Sequence, residues 1–168
     1  ARHLNDTEFG NTKLSSIPEN LRQKAADMEL LGGGQYEIRF IDDAKAKDLG
    51  ISGQGKYVAG RGGADQILIN TDKAKNGETT IAHEVGHAIY NNPLIDKSGL
   101  RSLFDVVYND EGILARQREY AEKDLSDRIG RKDLTPDEID AHIQEITNER
   151  RNPDWIYSEL FGEHFADL

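Results

Sequence analysis

The chain has 168 residues, of which 36% are hydrophobic and 31% are charged, and its formal net charge is −10. This length suits one domain with one sizeable core, and this composition is typical of soluble globular proteins. The acidic balance disfavours binding to a nucleic-acid backbone, and no apolar run approaches the roughly eighteen residues needed to cross a bilayer.

Cysteine is absent from the sequence. Disulfides, thiolate zinc ligands and a cysteine nucleophile are therefore excluded, and any metal must be held by histidine and carboxylate side chains. The sequence starts without a recognisable signal peptide and without methionine, which is compatible with a processed form or a piece of a larger protein. These features fit a cytoplasmic protein and one delivered or secreted by a non-classical route equally well.

The first part of the chain predicts an arm, a helix and a strand. Residues 1–15 are polar and aperiodic, which is typical of an arm. The segment from Ser16 to Glu19 has the form of a capping box, and it opens a helix that ends at Gly32. Residues 35–42 then alternate apolar and polar side chains, which predicts a half-buried strand. The apolar stripe of the helix consists of Leu21, Ala25, Met28 and Leu31.

The segment 50–65 is rich in glycine. No phosphate-binding pattern opens a helix there, so the glycines indicate hairpins and a mobile rim. Two short strands are predicted in or beside this segment, at 56–60 (KYVAG) and at 66–70 (QILIN).

Residues 78–91 predict a helix that carries His83 and His87 one turn apart. Imidazoles at this spacing can converge on one ion, at about 2.0 to 2.1 Å from each nitrogen. Glu84 follows the first histidine and is placed to touch a water on that ion, which is the role of a general base. Gly86 costs this helix about 1 kcal/mol relative to alanine, which predicts the close approach of a neighbouring element. The opposite, apolar face carries Ile81, Val85 and Ile89.

The second half of the chain predicts further helices. Residues 98–109 indicate a short helix, and 110–151 indicate a charged helical hairpin whose second helix opens with a capping box at Thr135. A last helix is predicted to have Asn152 as its N-cap and Pro153 as its first residue, and to run to the end of the sequence. His142 lies at the edge of an apolar stripe, where a satisfied core histidine is expected.

A catalytic zinc takes three protein ligands and keeps one open position. The histidine continuation of the metzincins is excluded, because Tyr90 and Pro93 stand where it needs glycine and histidine. In the last helix Glu159 and Glu163 are four apart and share a face, as expected when one carboxylate binds the metal and the other holds a ligating imidazole. The alternative is a pair of acids on a solvated helix face.

Together, the segments HEVGHAI (83–89) and SELFGEHFAD (158–167) resemble zincin metallopeptidases with a glutamate as third ligand, the gluzincin type, and especially the anthrax lethal factor-like group. In that group an HExGHA helix is followed by a helix of the form E-x-F-x-E-x-F. The resemblance implies that His83, His87 and Glu159 bind one Zn²⁺ ion, that Glu84 is general base and acid, and that Glu163 orients a histidine.

The chain departs from that group in two respects. The segment between the two motifs is longer than usual, and the excess is the charged hairpin. The tyrosine that helps to stabilise the oxyanion lies seven residues before the third ligand in that group, and Asn152 occupies this position here. Candidates for an oxyanion or substrate helper are Tyr157, His164 and Tyr57, and each of them also suits a structural role.

We therefore expect one zincin-like α+β domain over 1–168, with a small twisted sheet, an HExxH helix, a glutamate-bearing helix and an inserted helical hairpin at 110–151. The expected function is that of a zinc-dependent endopeptidase, which hydrolyses a protein substrate through a zinc-activated water with Glu84 as general base. The substrate peptide is expected along an edge strand near 66–70. The alternatives are a non-catalytic binding module of zincin fold and a zinc hydrolase that acts on a non-peptide amide. The sequence also suits the protease domain of a toxin or effector.

Overall fold

The computed structural model describes residues 12, 16–60, 62–74 and 76–167. The chain is α+β and mostly helical, with a small mixed sheet. Of the predicted arm 1–15, only Thr12 is described, and the rest lies outside the described residues. The elements in chain order are α1 (Glu19–Gly32), β1 (Tyr36–Ile41), α2 (Asp43–Asp48), β2 (Gly55–Val58), β3 (Asp65–Asn70), α3 (Gly77–Tyr90), α4 (Lys97–Ile129), α5 (Pro136–Arg150) and α6 (Trp155–Ala166).

The described residues pack as two compact units. The first unit comprises those up to Asn92 together with those from Phe161 onward, and the second runs from Pro93 to Leu160. The predicted hairpin at 110–151 thus falls entirely within the second unit. Across the described ranges, no helix combines the length and the apolar content that a membrane span requires.

The sheet of the first unit has the strand order β1-β3-β2. Strand β3 pairs in parallel with β1 and antiparallel with β2, so it is the central strand. The prediction of an edge strand at 66–70 is therefore wrong. The apolar residues 67–69 are buried, but burial does not set the place of a strand in a sheet, and β3 is central because it has a hydrogen-bonded neighbour on each side. The strands at the edges of this sheet are β1 and β2.

Both faces of the sheet are covered within the first unit. On one face, α1 and α3 pack against alternate residues of β1 and β3, among them Ile38, Phe40, Ile67 and Ile69. On the other face, α2 contributes Ala46 against Ile41 and Leu68. Strand β1 is consequently buried on both sides rather than half-buried as predicted. Its Arg39 is only 3% exposed and forms an ion pair with Glu37.

Helix α1 begins and ends close to the predicted positions, but its N-terminal end is not capped as predicted. Pro18 occupies the N-cap position without a side-chain capping hydrogen bond, so the predicted capping box is not formed. The C-terminal end is set by Gly33, whose φ of 58° lies in the left-handed region that glycine adopts without strain. Leu31 is 65% exposed and does not belong to the buried stripe.

The second unit is built on α4 and α5. The backbone of α4 is interrupted at Asn109 (φ 57°, ψ 174°), where the predicted short helix gives way to the first helix of the hairpin. The capping box of α5 is confirmed, because the Thr135 hydroxyl accepts from the Glu138 N–H and the Glu138 carboxylate accepts from the Thr135 N–H. Helix α6 begins at Trp155, two residues later than predicted.

Candidate metal centre

Helix α3 forms because its apolar residues recur at helical spacing and meet the sheet. Ile81 and Val85 are fully buried in the core of the first unit. The N-terminal end of the helix packs closely on α1, since a methyl group on Gly77 would lie 2.6 Å from a Leu21 methyl carbon. The helix is thereby fixed on one side, and the side chains of the HExxH pattern project from other sides.

The two histidines of α3 face each other through their ring nitrogens. Nε2 of His83 lies 3.1 Å from Nε2 of His87, and the two rings are inclined at 76°. His87 is buried at 7% exposure, and His83 is half-buried. With Glu84 they form the group of potential metal ligands found among the described residues, in which one ligand atom from each residue lies within 4.8 Å of the others.

This geometry fits a zinc ion. Two nitrogens bound to one tetrahedral zinc at about 2.0 to 2.1 Å are about 3.3 Å apart, and the two Nε2 atoms are 3.1 Å apart. Imidazole nitrogens are preferred zinc ligands, and the chain offers no thiolate that would compete with them. His83 and His87 can therefore hold the ion without a change in the helix.

Glu84 lies between the helix and the sheet. It is 9% exposed, and a methyl group on Gly55 of β2 would lie 3.0 Å from its Cγ. The same methyl group would lie 3.0 Å from Cγ2 of Thr80, one turn earlier in α3. The absence of a side chain at Gly55 thus leaves the space in which the Glu84 side chain lies.

The close approach predicted from Gly86 is confirmed. A methyl group on Gly86 would lie 2.7 Å from Cα of Gly162 in α6, and one on Gly162 would lie 3.0 Å from the His83 carbonyl oxygen and 3.3 Å from its Nδ1. Two helices therefore cross at a pair of glycines directly beside the first histidine. The propensity cost of glycine in α3 is offset by this packing.

Glu159, the predicted third ligand, lies in the second unit and is 3% exposed. Its Oε1 accepts a hydrogen bond of 2.8 Å from Nη1 of Arg150. Burial lowers the pKa of Arg150, but the charge of Glu159 and the adjacent Tyr120 outweigh it and raise the pKa overall. The pKa of Tyr120 is raised, first by burial and then by the charge of Glu159. The assignment of Glu159 as a metal ligand stays a prediction.

The remaining predicted residues have the following environments. The Tyr57 hydroxyl donates to Asp65 (2.7 Å), and its pKa is raised by burial and by that carboxylate. The Tyr157 hydroxyl donates to Asp105 (2.6 Å), and burial and this bond raise its pKa to about 12. These bonds fit the structural alternative for both tyrosines, and the helper role of each stays a prediction. In α6, Glu163 is half-buried and His164 is exposed, and the predicted role of each stays a prediction.

His142 is a satisfied core histidine, as predicted. It is 2% exposed, with Nε2 at 2.7 Å from Asp124 and Nδ1 at 3.2 Å from Glu145. Both ring nitrogens are therefore engaged by carboxylates inside the second unit.

Three residues at these positions were not anticipated from the sequence: Gly55 beside Glu84, Gly162 beside His83, and Arg150 beside Glu159. A signal existed for Gly162, because a glycine inside an otherwise apolar helix has the same propensity cost that was noted for Gly86. No comparable signal marks Arg150, since the hairpin is rich in charged residues throughout.

The chain was also compared with known proteins. Neither the protein-family models, nor the curated proteins, nor the solved structures give a match to it.

Proposed function

We propose that the chain is a zinc-dependent endopeptidase that hydrolyses peptide bonds of a protein substrate. The observation that carries this proposal is the approach of the His83 and His87 ring nitrogens to 3.1 Å, with Glu84 within the same group of ligand atoms. A purely structural zinc site is closed by four protein ligands and has no use for a base. A glutamate between two convergent histidines instead favours hydrolysis.

In the proposed mechanism His83 and His87 would hold the ion, within a zincin-like fold, and Glu159 is the predicted third ligand. Bound zinc supplies Lewis-acid chemistry, which lowers the pKa of a water molecule toward neutrality and polarises the substrate carbonyl. Glu84 accepts a proton from the attacking water and passes it to the leaving amine. The low exposure of Glu84 favours this role, since few water molecules compete for its carboxylate.

We place the substrate peptide along β2 rather than β3. Strand β2 pairs with β3 on one side, and Gly55 at its start contacts the Glu84 side chain. An extended peptide that pairs with the other side of β2 would gain main-chain hydrogen bonds close to the proposed base. The glycine at this position also allows a peptide backbone to approach closely.

The experiment that tests the function combines zinc content with cleavage of a peptide library. We expect about one zinc per chain in the wild type. We expect Glu84→Gln to retain zinc and to lose cleavage by a factor of about 10² to 10⁴, because a general base contributes rate and not binding. Glu78→Gln, which changes an acid in the first turn of the same helix, is the matched control and should cleave like the wild type.

Other outcomes would redirect the proposal. A wild type without zinc would contradict it entirely. A zinc-loaded chain that cleaves no peptide would favour the non-catalytic binding module or the hydrolysis of a non-peptide amide. Cleavage that is unchanged in Glu84→Gln would remove Glu84 from the mechanism.

A further inference from the structure

Arg150 lies at the end of α5 in a cage of two aromatic rings. Its guanidinium carbon lies 5.6 Å from the centroid of the Tyr120 ring and 5.5 Å from that of the Trp155 ring. Nη2 donates to the Tyr120 hydroxyl at 3.1 Å, and the two rings contact each other with centroids 5.3 Å apart. A planar guanidinium held by ring faces and a hydroxyl has few alternative positions.

The same guanidinium is bonded to Glu159. The Glu159 side chain is 4% exposed, whereas that of Arg150 is 33% exposed. The ion pair therefore consists of a buried carboxylate and a more exposed cation. Trp155 is itself fixed, because its indole N–H donates to the Thr147 hydroxyl at 3.1 Å. The guanidinium that bonds to the carboxylate is therefore held by contacts from α4 and from the start of α6.

A buried carboxylate is strongly unfavourable unless a cation or several hydrogen bonds compensate its charge. A metal ligand must be deprotonated, and a carboxylate has two oxygens that together accept about four bonds. A hydrogen bond from Arg150 to Oε1 is thus compatible with a metal bond to the same carboxylate.

We infer that Arg150 is a positioning residue, which holds the Glu159 carboxylate in one orientation as a ligand for zinc. The inference rests on the proposed function and deepens it. The inference assigns a function to the helical hairpin, because Arg150 lies in α5 and Tyr120, which contacts it, lies in α4. The competing explanation is an ion pair that stabilises the second unit and has no effect on metal binding.

Zinc affinity and folding stability separate these explanations. The zinc dissociation constant is measured by competition with a chelator for the wild type, Arg150→Gln, Arg150→Lys, Glu159→Gln and the double variant Arg150→Gln/Glu159→Gln. Thermal unfolding of each metal-free variant is recorded in parallel. Trp155 is the single tryptophan of the chain, so its fluorescence reports directly on the cage. The matched control is Arg118→Gln, which removes an ion pair between α4 and Asp140 in the same hairpin.

We expect Arg150→Gln to raise the zinc dissociation constant by about 10- to 100-fold, the range typical of residues that orient a metal ligand. Arg150→Lys should show a smaller increase, because lysine keeps the charge but not the planar fork. The double variant should bind zinc no more weakly than Glu159→Gln alone, since Arg150 acts through that carboxylate. Arg118→Gln should bind zinc like the wild type.

The inference is overturned if Arg150→Gln binds zinc as tightly as the wild type while Glu159→Gln binds it more weakly, or if the two effects simply add. If Arg150→Gln does not fold, Arg150→Lys decides by the same criterion, with wild-type affinity counting against the inference. Failure of the proposed function gives a different pattern, in which His83→Ala and Glu159→Gln both retain wild-type affinity.

Discussion

Histidines occur in two contrasting arrangements in the two units. In α3 the Nε2 atoms of His83 and His87 face each other at 3.1 Å. In α5 both ring nitrogens of His142 face carboxylates, at 2.7 and 3.2 Å. The difference teaches that burial alone does not mark a functional histidine. The two arrangements differ in the partner of the ring nitrogens, which is a carboxylate for His142 and a second imidazole in α3, and two facing imidazoles could hold one ion between them.

The largest expected effect is on zinc content. His83→Ala and His87→Ala should each lower zinc from about one ion per chain to background, because two ligands do not suffice for a tetrahedral protein site. His142→Ala should keep the zinc but lower the melting temperature by about 2–4 °C for each kcal/mol of stability lost. Elemental analysis and thermal unfolding measure the two properties.

Lys132→Ala, at an exposed position between α4 and α5, serves as control for both measurements. Loss of zinc in His142→Ala would break the comparison, since it would give the second histidine arrangement a role in metal binding. Retention of zinc in both His83→Ala and His87→Ala would also contradict the comparison, since it would exclude the α3 histidines as metal ligands.

The next effect concerns the crossing of two helices at Gly86. Gly86→Ala gains helix propensity but places a methyl group 2.7 Å from Cα of Gly162, and backbone cannot give way as a side chain can. We expect a net destabilisation of about 1–3 kcal/mol, as in overpacked cores, and weaker zinc binding because His83 lies beside Gly162. Thermal unfolding and chelator competition measure these two effects.

Gly63→Ala is the control for this substitution, because no atom lies within 4 Å of a methyl group there. An increase in stability with unchanged zinc affinity in Gly86→Ala would show that the glycine pair has no part in placing the histidine.

A smaller effect is expected at the N-terminal end of α5, which has no part in the proposed site. Thr135→Ala removes the hydroxyl that caps the helix and should lower stability by about 1 kcal/mol, whereas Thr135→Ser retains the cap. Zinc affinity should be the same in both variants. A change in zinc affinity in Thr135→Ala would contradict this expectation, because it would show that the helix cap affects the metal site.

The smallest effect is the pH dependence of the same cap. The backbone N–H and then the hydroxyl of Thr135 hold the pKa of the Glu138 carboxyl below its ordinary value. A lowered pKa means that the folded state binds the proton less readily than the unfolded state, so the stabilisation is present above the ordinary carboxyl pKa and is lost as the pH falls through the lowered one. Melting temperatures of Glu138→Gln and wild type should therefore converge in acid. A constant difference at every pH would contradict this.

Local spacing determined much of this protein at the level of sequence. The HExxH helix follows from the four-residue period of His83 and His87 against the apolar face, and the α5 cap follows from Thr135 and Glu138. These features depend on residues within one or two helical turns, so the covalent chain itself fixes them. Gly86 also indicated the close approach of another element, because glycine lowers the stability of a helix interior.

Tertiary structure decided the rest, since it depends on residues far apart in the chain. Strand order made β3 central and β2 an edge, which no feature of residues 66–70 alone could establish. Burial of Glu159 against Arg150, nine residues earlier and in another helix, required the packing of α4, α5 and the start of α6. Sequence spacing thus supplied the residues that can bind a metal, and long-range packing determined which other groups surround them.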